Sequence, residues 1–301
     1  MSSRRRLERR ELTRAPKSGT GFVLGLCLLG GIAVAEGALS EFDIQGHRGC
    51  RGLAPENTLM AFEKAIELSV TTLELDVVMT RDGVFAVHHD LQLNPKLCTS
   101  PGGEPVRRRR LAELDFRDIS GLDCGSRRPG KFPEQTLSPG ERIPRLEEVL
   151  DLAVTAHYPV QLSIELKQPI GKMPLPLEEV VAQLVGLVQE RSLVDRTTIQ
   201  SKWGEVLAEV RSQEPDLGRS LVVRIASAKP WVEDGTATIV SRKHEHLNRS
   251  EVERLQGKGV LVIPWTVNKP EVIQKMMDWG VDGIITDYPD RALFLLRDQD
   301  P

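Results

Sequence analysis

The chain has 301 residues, of which 40% are hydrophobic and 28% charged, and its formal net charge is −3. This balance is typical of a globular protein and excludes collagen-like, disordered and multi-span membrane classes. Basic residues are concentrated at the amino terminus, so the chain from Glu36 onward carries 33 basic and 41 acidic residues, a net charge of −8. This net negative charge repels the phosphate backbone of nucleic acids, so we expect no nucleic-acid partner.

The first 35 residues have the pattern of a secretory signal peptide. An arginine-rich start precedes an uncharged apolar stretch over 22–35, which ends in Ala33-Val34-Ala35. This stretch is shorter than the roughly 20 residues that span a bilayer. We therefore predict cleavage after Ala35 and export to a periplasmic or extracellular location, with an uncleaved N-terminal anchor as the alternative. No stable membrane insertion of the mature domain is expected, and the oligomeric state stays open.

Eight strand–helix units follow in chain order. The predicted strands are 42–46, 72–76, 160–166, 197–201, 219–225, 236–240, 259–266 and 282–286, and the predicted helices are 57–70, 146–156, 178–191, 205–212, 249–257, 270–279 and 290–296. Strands that alternate with helices indicate a parallel sheet, and eight units match a TIM-type (β/α)8 barrel of the α/β class. We predict one catalytic barrel over 42–301. An open doubly wound sheet is the alternative, but the sequence has no G-x-G-x-x-G phosphate loop.

One apolar run, Val84–His89, lies too close to the second strand to be its parallel neighbour, because a parallel crossover needs about a dozen residues or more. Asp82-Gly83 is a hairpin signal, so we predict that this run folds back antiparallel to the second strand. That geometry returns His89 toward the carboxylates of the second strand. The following segment, 91–145, is rich in Pro, Gly and Arg. We expect it to form a small inserted subdomain that overhangs the barrel mouth.

The expected bonding state of the cysteines depends on the predicted export. Signal cleavage would leave Cys50, Cys98 and Cys124 of the four cysteines. Cys98 and Cys124 lie 26 positions apart in the insertion and could form a disulfide in an oxidising compartment, the alternative being two free thiols. No cysteine spacing resembles a zinc site.

Charged side chains are concentrated at the carboxyl ends of the predicted strands, which form the catalytic face of a barrel. In chain order they are His47, Arg48, Glu74, Asp76, Glu165, Lys167 and Asp287. Strand parity points Glu74 and Asp76 to the same side, and Glu165 faces the same centre. Such carboxylates repel one another in a low-dielectric interior unless a cation joins them. Three carboxylates without His or Cys form a hard-oxygen site for Mg²⁺ or Ca²⁺. The alternative is a salt-bridge network with Arg48 and Lys167.

Two histidines, His47 and His89, come from separate segments that converge on the same mouth. Paired imidazoles can supply a general base and a general acid near neutral pH. Arg48 and Lys167 are fixed positive charges that suit a phosphate. Together with a metal, these groups indicate phosphodiester cleavage, in which the cations stabilise the phosphoryl oxygens and the histidines move protons.

At these residues the sequence resembles the glycerophosphodiester phosphodiesterase family. The shared motifs, in order, are Gly46-His-Arg-Gly49, Pro55-Glu-Asn-Thr58, Glu74-Leu-Asp76, Thr80-Arg-Asp-Gly83, His89-Asp90, Ile164-Glu-Leu-Lys167, Trp265-Thr-Val-Asn268 and Gly283-Ile-Ile-Thr-Asp287. Any one of them is weak, but eight in this order are hard to produce by chance. The insertion resembles that of the exported bacterial members.

The resemblance implies a TIM-type barrel with a subdomain inserted after the second strand and its hairpin. It implies metal-dependent hydrolysis of glycerophosphodiesters to sn-glycerol 3-phosphate and an alcohol. In the family the glycerol hydroxyl beside the phosphate is thought to attack phosphorus, and water then opens the cyclic phosphate.

The resemblance also assigns roles to individual residues. One divalent cation, Ca²⁺ or Mg²⁺, would be bound by Glu74, Asp76 and Glu165. His47 and His89 would be the acid/base pair. The residues around the substrate would be Arg48 and Lys167 on the phosphate, Glu56 orienting Arg48, and Trp265 against the glycerol carbons, with plain barrel packing as the alternative for Trp265.

The chain departs from the family pattern at three positions. Cys50 stands where a small residue is usual, and we expect it near enough to the site to be oxidised or to disturb metal binding. Lys202 stands where the family usually has an aromatic residue. His88 precedes His89, and we expect His89 to be the catalytic imidazole because it directly precedes Asp90, as in the family.

Two other functions stay open at this point. A phospholipase C- or D-like phosphodiesterase that acts on intact lipid should expose an apolar rim, yet only 4% of the residues are aromatic. A catalytically silent phosphate-ester binding protein has no need for a complete catalytic set, whereas here all three carboxylates and both histidines are present.

Overall fold

A barrel of parallel strands forms the centre of the protein in a computed structural model that describes residues 42–223 and 228–297. The strands of its sheet are β1 (Asp43–Gly46), β2 (Thr72–Met79), β3 (Phe85–Val87), β4 (Gln161–Leu166), β5 (Thr197–Ser201), β6 (Gly218–Val223), β7 (Ile239–Arg242), β8 (Leu261–Val262) and β9 (Gly283–Thr286), of which β3 lies outside the barrel. The parallel order is β8-β7-β6-β5-β4-β2-β1-β9. The predicted signal over 1–35 lies outside the described residues.

The two edge strands of this order also meet. The amide of Asp282 donates to Val262 O at 3.0 Å, and the amide of Ile285 donates to Pro264 O at 2.9 Å. These bonds complete the ring between β8 and β9. The predicted TIM-type barrel is therefore confirmed.

Helices follow every strand of the barrel, as the fold requires. They are α1 (Leu59–Glu67), α2 (Leu146–Thr155), α3 (Leu177–Gln189), α4 (Gly204–Gln213), α5 (Lys229–Glu233), α6 (Arg249–Gln256), α7 (Pro270–Asp278) and α8 (Pro289–Arg297). Alternate residues of β2, such as Leu73 and Leu75, are fully buried in one large apolar cluster with helix residues such as Phe62 and Val149. Within the described ranges no helix has the length and apolar character needed to cross a membrane.

β7 begins at Ile239, three residues later than predicted. The preceding residues instead form the turn after α5, a short helix that was not predicted from the sequence. The amide of Thr236 donates to Asp234 Oδ1 at 2.8 Å, and that of Ala237 donates to Trp231 O at 2.7 Å. A β-branched run was therefore mistaken for the start of a strand.

β8 is much shorter than the predicted strand over 259–266. Pro264 has no amide hydrogen, so the regular pattern stops before it. The segment still runs beside β7, because the amide of Ile263 donates to Val240 O at 3.1 Å and that of Trp265 to Arg242 O at 3.0 Å. The predicted fifth strand, 219–225, corresponds to β6, and its last two residues lie outside the described ranges.

The predicted hairpin after β2 is present. β3 pairs antiparallel with β2, with Val77 opposite Val87 and Met79 opposite Phe85. The turn closes through Gly83, whose amide donates to Thr80 O at 3.0 Å and whose φ of 80° suits glycine. The chain leaves β3 beside the carboxyl half of β2, which brings the two following histidines to the barrel mouth.

The segment over 91–145 has a small apolar cluster of its own. Leu111, Ile119 and Ile143 are buried there together with Val78 and Ala86 of the hairpin. A second attachment is polar: the Gln135 side-chain amide donates to the carbonyl oxygens of Arg51 and Ala54, at 2.8 and 2.9 Å. The insertion is thus fixed both to β2–β3 and to the loop that follows β1.

Cys98 and Cys124 are joined by a disulfide in the structure. A crosslink across 26 positions restricts the unfolded chain, so we expect the double variant Cys98→Ala/Cys124→Ala to lose about 3 kcal/mol of unfolding free energy. Urea denaturation with and without reductant measures this loss, and reductant should affect only the wild type. Equal stabilities of the oxidised and reduced wild type would contradict the prediction.

Candidate active site

Three buried carboxylates meet at the carboxyl end of β2 and β4. Glu74 and Asp76 alternate with the outward-facing leucines of β2, and Asp76 is paired in register with Glu165 of β4. One oxygen from each carboxylate lies within 4.8 Å of the others. The strand parity predicted from sequence is therefore what the structure shows, and three hard oxygen donors face one point.

The carboxylates interact strongly with one another. Burial, together with the charges of Asp76 and Glu165, raises the pKa of Glu74 well above its usual range. Burial opposes ionisation of Asp76 too, but Lys167 and Arg48 outweigh it and hold its pKa well below the usual range. The raised pKa of Glu74 shows that Lys167 and Arg48 do not offset the mutual repulsion of the three acids completely.

The residues fit a divalent cation. Among the described residues, Asp76 Oδ1 and Glu165 Oε1 are buried oxygens without a hydrogen-bond donor, although Lys167 Nζ is 3.2 Å from Asp76 Oδ1. Oxygen ligands of this type suit Mg²⁺ or Ca²⁺. The salt-bridge network offered as the alternative also exists, since Lys167 Nζ lies 2.8 Å from Glu165 Oε2 and Arg48 Nε lies 3.1 Å from Asp76 Oδ2. The same three carboxylates therefore form these ion pairs and also have the donor set for a cation.

A tight loop after β1 positions Arg48. Its backbone is left-handed, with φ of 54°, and its amide donates to Glu74 Oε2 at 2.9 Å. Its guanidinium donates to Glu56 Oε1 at 2.6 Å. Asn57, also left-handed, donates from Nδ2 to Asp76 Oδ2 at 3.0 Å. The neighbouring Gly49 admits no side chain, because a Cβ there would lie 2.6 Å from the Ala61 backbone.

His47 is oriented by Asp287, which follows β9. The imidazole Nδ1 lies 2.6 Å from Asp287 Oδ1, and the carboxylate can only accept, so Nδ1 carries the proton. Burial and the charge of Arg51 lower the pKa of His47 to about 4, although Asp287 acts in the opposite direction. Nε2 is therefore an unprotonated nitrogen, and it lies 4.0 Å from Glu74 Oε2.

Asp287 is itself held by several donors. Arg51 Nε donates to Oδ1 at 2.6 Å and Asn268 Nδ2 donates to Oδ2 at 2.8 Å. Burial raises its pKa, but His47 and Arg51 outweigh this and keep the pKa well below its usual range. The carboxylate is thus a fixed negative charge behind His47.

His89 lines the same cavity as His47, and its Nδ1 lies 2.9 Å from Asp90 Oδ1. Its side chain is 31% exposed. His88 instead is buried and donates from Nδ1 to Asp90 O at 2.8 Å, and it lines only a second small space beside Cys98, which His89 also lines. The geometry thus brings His89, and not His88, to the cavity that Glu74 and Glu165 line.

The cavity has a volume of about 110 Å³ and lies between these charged groups and an apolar wall. Val222, Trp265 and Ile285 form the apolar part. The indole Nε1 of Trp265 donates to Ser241 O at 3.0 Å, which holds the ring in place. Trp265 therefore both packs in the barrel and presents a face to the cavity.

The expectation for Cys50 is wrong. Its side chain is fully buried and donates from Sγ to the carbonyl oxygen of Ala61 in α1, at 3.3 Å. Burial raises the pKa of the thiol to about 12. A protonated thiol packed against a helix is neither readily oxidised nor a metal ligand.

Sequence reasoning gave no role to Asp287, Arg51 and Asn57. The sequence contained a signal for two of them, because Asp287 is the last residue of the eighth family motif and Asn57 lies within the second. The role of Arg51 could not be predicted, because its partners Asp287 and Phe132 are far away in sequence.

Buried acids and fixed cations at the carboxyl-terminal mouth of a (β/α)8 barrel are the arrangement of an enzyme active site. The model of the glycerophosphoryl diester phosphodiesterase family matches residues 47–291. The chain therefore belongs to this family.

Individual relatives cover nearly the whole chain. The glycerophosphodiester phosphodiesterase of Bacillus subtilis (strain 168) is 32% identical over 291 residues, covering 89% of this chain and 94% of the relative. A Silicibacter pomeroyi protein, provisionally named as a glycerophosphoryl diester phosphodiesterase, has a crystal structure similar with a TM-score of 0.81 and 33% identity, covering 86% of this chain and 94% of the other. An Oleispira antarctica phosphodiesterase, solved with the product sn-glycerol-3-phosphate, shares the fold with a TM-score of 0.72 and 22% identity, covering 85% of this chain and 96% of the other.

Proposed function

We propose that this protein hydrolyses glycerophosphodiesters to sn-glycerol 3-phosphate and an alcohol, with one divalent cation and with His47 and His89 as the acid/base pair. The observation that carries the proposal is the convergence of three carboxylates within 4.8 Å beside a cavity that both histidines line. The named activity of the relatives and the product bound to the Oleispira antarctica enzyme support the substrate class.

Glu74, Asp76 and Glu165 would bind the cation, Mg²⁺ or Ca²⁺. When bound, such a cation stabilises the negative charge that develops on the phosphoryl oxygens. Arg48 and Lys167 add fixed positive charge on the same oxygens, and Glu56 holds Arg48 in orientation.

His47 acts first as the base in this proposal. Its Nε2 accepts the proton of the glycerol hydroxyl beside the phosphate, while Asp287 stabilises the imidazolium that forms. The freed oxygen bonds to phosphorus, and the bond from phosphorus to the alcohol oxygen breaks. Protonated His89 gives its proton to the departing alcohol. In the second half the roles reverse: His89 takes a proton from water, which opens the cyclic phosphate, and His47 returns its proton to the glycerol oxygen.

Export remains part of the proposal. The basic and apolar pattern of residues 1–35 supports it, and so does the Cys98–Cys124 disulfide, because such bonds persist in oxidising compartments.

The boundaries 42–301 for the catalytic barrel and 91–145 for the inserted subdomain also stay predictions.

Release of glycerol 3-phosphate from glycerophosphocholine tests the function directly. We expect release to stop after chelation and to return when Mg²⁺ or Ca²⁺ is added in excess of the chelator. Release that survives chelation would refute the role of the metal. No release with either cation would favour the silent binding protein, and release of a head group from intact phospholipid vesicles would favour the phospholipase.

The contact between His47 and Asp287 gives a further prediction. Asp287→Asn keeps the size of the side chain but removes the charge that fixes the imidazole, so we expect kcat to fall by about 10–100-fold. Metal affinity should not change, because Asp287 is not a ligand in the proposal. Asp278→Asn, an exposed acid at the end of α7, is the matched control and should behave as wild type. A kcat for Asp287→Asn within twofold of wild type would contradict the assigned role.

A further inference from the structure

Lys202 is a cation of the cavity that the proposed reaction does not use. It follows Ser201, the last residue of β5, and lies two positions after Gln200, so both side chains reach the cavity. The Lys202 side chain is 53% exposed, whereas that of Lys167 is 7% exposed. Lys202 therefore lies at the mouth of the cavity, and Lys167 lies on its floor.

The two lysines also differ in how firmly they are held. Lys167 Nζ lies 3.2 Å from Asp76 Oδ1 and 2.8 Å from Glu165 Oε2. In the described part of the chain Lys202 forms a single ion pair, a loose one in which its Nζ lies 4.0 Å from Glu165 Oε1. Exposed pairs of this kind contribute little, and Glu165 is in addition a ligand of the proposed cation. Within the described residues the Lys202 charge is thus only weakly compensated, and it faces the solvent at the mouth.

Different parts of the cavity lining suit different parts of a diester substrate. Arg48 and Lys167 on the floor suit the phosphate, and the apolar side chains of Val222 and Trp265 suit carbon atoms. The open mouth is left for the alcohol, which is the part that varies between glycerophosphodiesters. Among the titratable side chains that line the cavity, that of Lys202 is the most exposed.

We propose that Lys202 is a specificity-determining residue that selects substrates by the charge of the alcohol. The inference rests on the proposed function and deepens it. An alcohol with a further phosphate gains an ion pair with Lys202, an uncharged polyol gains little, and a quaternary ammonium group is repelled. The preferred substrate class is the glycerophosphodiester of an anionic alcohol.

Three substrates and two variants test this inference. Glycerophosphocholine, glycerophosphoinositol and glycerophosphoinositol 4-phosphate carry a positive, a neutral and a negative alcohol. Lys202→Met keeps the length of the side chain and removes its charge. Lys172→Met makes the same change at an exposed lysine of the loop after β4 that does not line the cavity. The measurement is kcat/KM of the holoenzyme for each substrate.

We expect the wild type to favour the phosphorylated alcohol over choline, and Lys202→Met to lower this ratio by about tenfold. Lys172→Met should leave the ratio unchanged, and higher salt should move the wild type toward Lys202→Met. An unchanged ratio in an active Lys202→Met enzyme would overturn the inference and leave the proposed function intact. A uniform loss on all three substrates would overturn it too, since Lys202 would then serve the phosphate or the metal. A wild type that hydrolyses none of them would refute the proposed function itself.

Discussion

Glu165→Gln is expected to lower kcat/KM for glycerophosphocholine by about 10³-fold and to weaken divalent-cation binding strongly. The substitution keeps the shape of a buried side chain but removes one of the three carboxylates from the proposed metal site. It also leaves Lys167, whose Nζ lies 2.8 Å from Glu165 Oε2, with Asp76 as its remaining carboxylate contact. Both changes reduce the attraction between this site and a cation.

Two measurements separate the loss of metal from a loss of folding. Calorimetric titration of Mg²⁺ and Ca²⁺ reports metal affinity, and urea denaturation of the metal-free protein reports stability. Glu67→Gln, an exposed acid of α1 that pairs with Lys64 at 3.2 Å, is the matched control and should change neither activity nor affinity. Near-normal turnover of Glu165→Gln with unchanged metal affinity would show that the carboxylates form a structural salt-bridge network instead.

Much of the barrel could be predicted because its strands have strong local patterns. The predicted and observed bounds of β5 agree, since Thr197–Ser201 is a short β-branched run between two clear helices. Patterns of this kind depend only on neighbours in sequence. The errors arise where a distant partner decides the outcome: β2 extends to Met79, three residues beyond the prediction, because β3 pairs with its end.

The carboxylate cluster could be located because parity along a strand is a local property. Two residues that are two positions apart, such as Glu74 and Asp76, share a face in any regular strand. The expectation that Glu165 of the neighbouring strand faces the same centre needed only the fold class, whereas the register that pairs Asp76 with Glu165 comes from the structure. Fold class and parity together were enough to bring three carboxylates to one point.

The contacts around His47 could not be derived in this way. The Asp287 carboxylate that orients the imidazole is 240 positions away, and its geometry depends on the parallel pairing of β1 with β9. Asp287 was visible as a strand-end charge, but nothing local connected it with His47. The same holds for Arg51, which reaches Asp287 and also stacks on Phe132 of the insertion, 5.1 Å from the ring centre.

His89→Ala is expected to lower kcat by about 10³-fold with metal affinity unchanged, because a positioned proton donor contributes roughly 10²–10⁴-fold. His88→Ala should be milder, below about tenfold, since His88 only donates to the Asp90 carbonyl and does not line the cavity. This pair is a matched comparison of neighbouring imidazoles. The reverse ranking would show that His88 is the catalytic residue.

The leaving group offers a sharper test of the role given to His89. An alcohol needs a proton when its bond to phosphorus breaks, whereas 4-nitrophenolate is stable without one. If His89 donates that proton, the deficit of His89→Ala should shrink strongly when glycerophospho-4-nitrophenol replaces glycerophosphocholine. The deficit of His47→Ala should persist on both substrates, because the attacking hydroxyl must lose its proton in either case. Equal deficits of His89→Ala on the two substrates would remove His89 from the step that expels the alcohol.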